Sequence, residues 1–193
     1  TIKYWYDDSY KTYAITHIWV KDAYEQFKGE IPDKFGTLAS PSYMTTKAAK
    51  KNPGKTLISI NASSHVSSAF NKALYNLDKS YNNTAPSPIV VYDGKILRDN
   101  STKYDLTLTD MGIYAINKDG ILTNYKYSKK KDENVGLAQK LMDEGVRYTF
   151  SFRPVLVISG VANTARIVKD PNIRQSICQI DANNFLYITN ISS

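Results

Sequence analysis

Residues 56–66, TLISINASSHV, run from an apolar stretch, Leu57-Ile58-Ser59-Ile60, into a polar cluster holding Asn61, Ser63 and His65. An asparagine amide can fix a sugar hydroxyl or a phosphoryl oxygen, and a histidine titrating near neutrality can give or take a proton. The same residue types also build Asx and Ser turns and cap helices, which taken alone is their commoner use. A second stretch, Pro171-Asn172-Ile173-Arg174-Gln175-Ser176-Ile177-Cys178, brings a lone arginine into an otherwise apolar strand. Its guanidinium is a planar fork of donors suited to two-point contact with a phosphate. Pairing with a surface acid is the more ordinary fate of such an arginine.

Other chemistries lack their residues. The sequence has no Walker loop, dinucleotide fingerprint, G-x-S-x-G elbow or H-E-x-x-H. With 2 histidines and 1 cysteine there is little scope for a metal site and none for an internal disulfide, so no metal or cofactor is expected. Cys178 stands in an apolar context and reads as a buried, inert thiol. A pair of acids for ordinary glycoside hydrolysis could exist among the 18 Asp and Glu residues, but spacing does not single it out.

The net charge of +7 favours a polyanionic partner: nucleic acid, an anionic glycopolymer or a membrane surface. Much of it sits in runs, Lys47 to Lys55 and Lys129-Lys130-Lys131, which read as solvated loops. No zinc-ligand spacing, helix-turn-helix or RNP pattern accompanies the charge, so nucleic acid is not the expected partner. No stretch approaches the length of a membrane span, and membrane insertion is not expected. Fifteen tyrosines, in patches such as Tyr4-Trp5-Tyr6 and Tyr125-Lys126-Tyr127, supply amphipathic surface suited to sheets and sugar-binding clefts.

Behind these residues lies a pattern of short strands and turns. Residues 12–20 alternate polar and apolar and predict a half-buried strand, with His17 on its solvent phase. A helix around Met44–Lys51 is stopped by Asn52-Pro53-Gly54, and Leu57–Ile60 reads as a short buried strand. Apolar spacing predicts a helix over Ser67–Lys79, with a loop over 82–88. Hairpins are expected over 88–97 around Asp93-Gly94, over 111–122 around Asp119-Gly120, and over 177–188 around Asp181-Ala182-Asn183-Asn184. Ala138, Leu141, Met142 and Gly145 mark a helix over Val135–Val146 with Gly145 as its stop. Residues 148–152 and a buried strand over Pro154–Gly160 follow. The expectation is an α+β fold, a single domain of mostly antiparallel hairpins and sheet with a few packed helices, over residues 1–193.

The order of five of these segments resembles the phosphodiester glycosidase family, the N-acetylglucosamine-1-phosphodiester α-N-acetylglucosaminidase-like domains with bacterial and phage members. They are I-N-A-S at 60–63, P-I-V-V-Y-D-G-K-I-L at 88–97, G-I-Y-A-I-N-K-D-G at 112–120, E-G-V-R-Y-T-F-S-F-R-P-V-L-V at 144–157, and N-I-R-Q-S-I-C at 172–178. The resemblance runs from about Tyr13 to the end of the chain. It implies a hydrolase that cleaves a sugar-1-phosphate diester in a cell-surface glycopolymer such as a teichoic acid, acting extracellularly, at a cell surface or as a phage tail or virion component. It implies other virion or cell-surface proteins as neighbours. On the family pattern Asn61 and Arg174 fall at catalytic positions; Ser63, His65 and Gln175 are expected beside them as substrate-binding residues by their place in the chain, since the pattern itself does not call for His65.

That assignment suits the chemistry. Cleaving an anomeric bond to phosphate calls for charge stabilisation on the departing phosphate, within reach of an arginine, and for orientation of the sugar by an amide. Phosphate is already a good leaving group, so a strong general acid is less needed. The chain departs from the pattern at Gln175 for Thr, Cys178 for Gly and Arg153 for Gly. The family's late L-D-G-G-G-S segment would fall beyond Ser193, so the domain is expected to be C-terminally incomplete. The alternative expectation is a non-catalytic glycan-binding or structural module of the same fold.

Overall fold

The structure is a computed structural model that describes residues 2–6, 13–33, 39–55, 57–60, 88–102, 112–128, 130–152, 156–158, 160–162 and 175–190. Statements below concern those residues. The fold is α+β with antiparallel sheets, as the hairpin pattern predicts.

Each predicted hairpin forms where its turn chemistry directs. Strands β3 (Ile89–Tyr92) and β4 (Lys95–Asp99) join through Asp93 at φ 49° and Gly94 at φ 72°. Two successive positive φ values make the tight turn whose twist matches the strands, and the glycine takes this conformation without a Cβ clash. Strands β5 (Gly112–Ile116) and β6 (Leu122–Tyr125) are joined by an Asx turn, in which Asn117 Oδ1 accepts from the N–H groups of Asp119 and Ile121, both at 3.0 Å. Strands β10 (Gln175–Gln179) and β11 (Asn184–Asn190) turn on Asp181, whose carboxylate accepts from the N–H of Asn183 and of Asn184, each at 2.9 Å.

Strand β7 (Thr149–Phe152) pairs with the other side of β5, giving the order β6-β5-β7. A bridge between Tyr92 and Tyr148, and a bond from Val91 N–H to Thr149 Oγ1 at 2.9 Å, attach β3 alongside β7. One face of this layer is packed by a helix, here α3 (Leu137–Asp143), whose Ala138 and Leu141 meet Ile89, Val91, Ile113, Ala115, Tyr125 and Val146. Leu141, Ile113 and Ile89 are fully buried, each worth roughly 1.5–3 kcal/mol of transfer free energy. The helix ends as its glycine predicts. Gly145, at φ 71°, donates to Met142 O at 2.9 Å and Val146 N–H reaches Leu141 O at 3.0 Å, satisfying the last carbonyls.

A second sheet has the order β1-β2-β11-β10, from β1 (Ile2–Tyr6) and β2 (Tyr13–Trp19) at one end of the chain and β10 and β11 at the other. It meets the first layer through Val20, Ala23, Ile116 and Phe185, with the Phe27 and Phe185 ring centroids 4.5 Å apart. Ala23 belongs to α1 (Ala23–Gln26), capped by Asp22 Oδ1 accepting from Glu25 N–H at 3.0 Å.

Helix α2 (Pro41–Lys51) starts at the Ser40 cap with Pro41 in its first turn, and gives way at Asn52. It buries no residue, so its attachment is ionic: Lys47 reaches Asp33 at 2.8 Å and Glu30 at 3.6 Å, and Lys51 reaches Glu30 at 2.7 Å. The basic run from Lys47 is therefore a paired helix face rather than a solvated loop, because i,i+4 spacing turns both lysines to the same side.

Three other expectations are corrected. Residues 57–60 form no strand, and Leu57 and Ile58 are exposed. Apolar composition alone does not make a strand; its N–H and C=O groups need a partner, and no described strand runs beside this one. The expected buried strand over Pro154–Gly160 is instead an exposed miniature hairpin, β8 (Val157–Ile158) against β9 (Val161–Ala162), with Val157 and Val161 exposed. Gly160, at φ 78°, reverses the chain too soon for the run to enter a sheet. His17 is half-buried rather than a surface histidine, because β11 lies beside β2 and brings Asn184 Oδ1 to 2.8 Å from its Nε2. Asn184 gives its own amide N–H groups to Asp181, so its oxygen faces His17 and His17 Nε2 is the donor.

Cys178 is half-buried in β10, and burial raises its pKa, which keeps the thiol protonated. No helix among the described residues is long and apolar enough to cross a membrane. The expected helix over Ser67–Lys79 and the loop over 82–87 lie outside the described residues.

Candidate functional site

Of the residues assigned from sequence, Asn61, Ser63, His65 and Arg174 lie outside the described residues. Gln175 opens β10 as an exposed residue opposite Thr189. Two polar constellations stand elsewhere, and both use segments that the sequence singled out.

The first is a junction around Arg147. Asp93 comes from the 88–97 segment, and Arg147 and Tyr148 from the 144–157 segment. Arg147 donates to Asp93 Oδ1 and to Glu25 Oε2, each at 3.0 Å, while its guanidinium carbon stands 5.7 Å from the centroids of the Tyr24 and Tyr148 rings. Tyr148 donates to Asp93 Oδ1 at 3.2 Å, and Tyr24 to Gly145 O at 2.7 Å. Hydrogen bonds from Arg147 and then Tyr148 hold the Asp93 carboxyl below its ordinary value. Burial, followed by the Asp93 charge, pushes the Tyr148 phenol up to about 12. Tyr92 stacks edge-on against Tyr148 at 5.5 Å. Two carboxylates surround one guanidinium, so an incoming phosphate meets a net negative group whose donor fork is already engaged. The junction is suited to clamping three segments together, and poorly suited to binding an anion.

The second is a cleft of about 290 Å³ between β6 and α3, lined by Thr123, Asn124, Tyr125, Lys126, Leu137, Lys140 and Glu144. Among the described strands, β6 is at the edge of its sheet. The Tyr125 ring is packed into the core and its hydroxyl donates to Glu144 Oε2 at 2.6 Å. Burial, with the bond to Glu144 second, raises the Tyr125 pKa well above its usual value, so the phenol stays a donor. The other carboxylate oxygen of Glu144 lies 3.8 Å from Lys140 Nζ, one helical turn earlier. Asn124 Oδ1 is buried without a hydrogen-bond partner.

This set can recognise a polar, anionic ligand: a carboxylate to accept from hydroxyls, two ammonium groups to attract phosphate, and an edge strand with amide groups. Glycoside hydrolysis by the ordinary route needs two carboxyl groups roughly 5–10 Å apart across the scissile bond. Among the described lining residues Glu144 is the single carboxylate, so the lining alone does not supply the acid pair of that route. Among the described residues no group of His, Cys, Asp and Glu side chains is placed to hold a metal ion.

Sequence reasoning did not name Glu144, Lys140 or Asn124 as site residues. The signals were nonetheless present: Tyr125-Lys126 is one of the tyrosine patches, and Glu144 opens the segment that runs into Arg147. The Lys140-to-Glu144 spacing of one helical turn puts both on the same face. Comparisons with protein-family models, with characterised proteins and with solved structures find no match to this chain.

Proposed function

We propose that the chain is a phosphodiester glycosidase that hydrolyses a sugar-1-phosphate diester in an anionic cell-surface glycopolymer such as a teichoic acid, working outside the cell or as part of a virion tail. The reading rests on the order of the five segments, and the observation that carries it is the polar cleft of Tyr125, Lys126, Lys140 and Glu144. Its mixture of one acceptor carboxylate and two ammonium groups matches a polymer that alternates hydroxyls with phosphates. In this reading Arg174 stabilises the departing phosphate and Asn61 orients the sugar, while the cleft engages the polymer. The net charge of +7 steers a polyanion toward the protein, an effect that weakens as salt shortens the Debye length.

A second reading, a non-catalytic glycan-binding module, is favoured by one observation: the cleft offers a single carboxylate, already engaged by Tyr125. The two readings part on turnover. Incubation with a sugar-1-phosphate diester should release reducing sugar, and Arg174→Ala should abolish release while leaving polymer binding in place. Salt-sensitive polymer binding with no sugar released from any such diester sinks the enzyme reading and leaves the module.

A further inference from the structure

We infer that the outward face of the β1-β2-β11-β10 sheet docks a second copy of this chain, face to face about a two-fold axis along the β2–β11 seam. The inference is independent of the cleft and of the saccharide reading.

Strand alternation assigns the two faces of this sheet. Phe185, Ile18 and Ile177 pack toward the first layer with Val20, Ala23 and Ile116. The residues that alternate with them stand on the other face: Ile15, His17 and Trp19 from β2, Leu186 and Ile188 from β11, and Cys178 from β10. One bond confirms the assignment. Asn184 is opposite Trp19 in register, and its Oδ1 lies 2.8 Å from His17 Nε2, so both side chains share the outward face.

This face is apolar and accessible. Trp19 is 46% exposed, and the others are half-buried, as expected of sheet neighbours that shield one another's flanks. Lys3 is the only Asp, Glu, Lys or Arg in the four strands, within a chain that is 22% charged. Depletion of charge around an exposed tryptophan is the composition of an interface core.

Two features select a second copy as the occupant. The first is self-complementarity. One row across the sheet reads Lys3, His17, Leu186, Cys178, and the next reads Trp5, Ile15, Ile188, Ser176. Residue size declines from the β1–β2 half to the β10–β11 half. A two-fold axis along the seam sets each half over the opposite half of the other copy, so large residues meet small ones, as interdigitating layers require. The second is area. Strands of five and seven residues present roughly 400 Å² in projection, at about 4.8 Å between strands and about 3.4 Å per residue. Two such faces exclude on the order of 1,000 Å² of accessible surface, the size at which a specific though weak interface begins. Each copy carries a net charge of +7, but the face adds only Lys3, on its outer strand, so like charges stay at the rim.

The test is sedimentation of the chain as it stands, over roughly 1–300 µM. The average mass should rise toward that of two chains, with a dissociation constant of about 10–100 µM. Added salt should tighten the pair by screening the repulsion between two basic chains. Leu186→Lys puts a charge at the centre of the face and should weaken the pair at least about tenfold, with the thermal melt of the dilute protein unchanged. Ser176→Trp fills the small half and should weaken it about as much. A chain that stays monomeric throughout, a pair that salt weakens, or a pair that Leu186→Lys leaves intact overturns the inference. Indifference to Ser176→Trp overturns the two-fold along the seam. Should either variant fail to fold, tryptophan emission of the unaltered chain decides. It should shift to shorter wavelength on concentration as Trp19 enters the interface, and an unchanged maximum overturns the face.

Discussion

The Arg147 junction and the β6–α3 cleft are made of the same side chains: tyrosine hydroxyls, carboxylates and basic groups held within hydrogen-bond reach. They differ in saturation. In the junction, Arg147 has Asp93 and Glu25, Asp93 has Arg147 and Tyr148, and Tyr24 is bonded to Gly145 O. In the cleft, Glu144 gives one oxygen to Tyr125 and leaves the other to a lysine 3.8 Å away, and Asn124 keeps an unpartnered buried oxygen. A cluster that satisfies itself fastens the fold, whereas one that leaves groups open can exchange water for a ligand. Charge alone does not separate the two.

The largest expected effect tests what both regions share. Leu141 anchors α3, which carries Glu144 and leads into Arg147, so Leu141→Ala should lower unfolding stability by about 2–5 kcal/mol in denaturant titration. A loss below about 1 kcal/mol would mean that α3 is not the common mount. Next, Arg147→Ala should cost roughly 1–2 kcal/mol of stability, the sum of two partly exposed ion pairs and the ring contacts. The same variant should leave affinity for a sugar phosphate within about twofold; a collapse of binding would merge the junction with the site. Glu144→Gln reverses the pattern. It should weaken sugar-phosphate binding about tenfold by calorimetry and shift stability by no more than about 0.5 kcal/mol.

The smallest effect is electrostatic. The Asp93 carboxyl is held below its ordinary value of 3.8, so its contribution is complete above that pH and is lost as pH falls through the lower folded value. Acid titration of Asp93→Asn should therefore show a flatter loss of stability below about pH 4 than the unaltered chain. Identical acid limbs would show that the junction does not depend on this charge.

Much of the local structure was legible in the sequence. Asp93-Gly94, Asp119-Gly120, and Asp181 through Asn184 each placed a hairpin, since turn geometry is set by residues within about five positions. Gly145 placed the end of α3 for the same reason. Residues 57–60 and 154–160 misled because apolar runs are common to strands and to exposed segments, and only a partner strand separates the two. The candidate site was half legible: Tyr125-Lys126 and Glu144 stood in noticed segments, yet nothing local says that β6 and α3 flank one cleft. Asn124 gave no signal, because the burial of its Oδ1 without a partner exists only once β6 has packed in the fold.

By itself, then, the sequence determined the hairpins, the helix stops, the basic charge and the absence of familiar catalytic motifs, all properties of neighbouring residues. Tertiary structure alone decided that β2 pairs with β11 across most of the chain, that His17 meets Asn184, that Arg147 is saturated by Asp93 and Glu25, and that β6 and α3 flank one cleft. Turn and cap preferences act over a few residues. Which distant strands and side chains come together is settled by how the whole chain buries its apolar faces while pairing its buried polar groups.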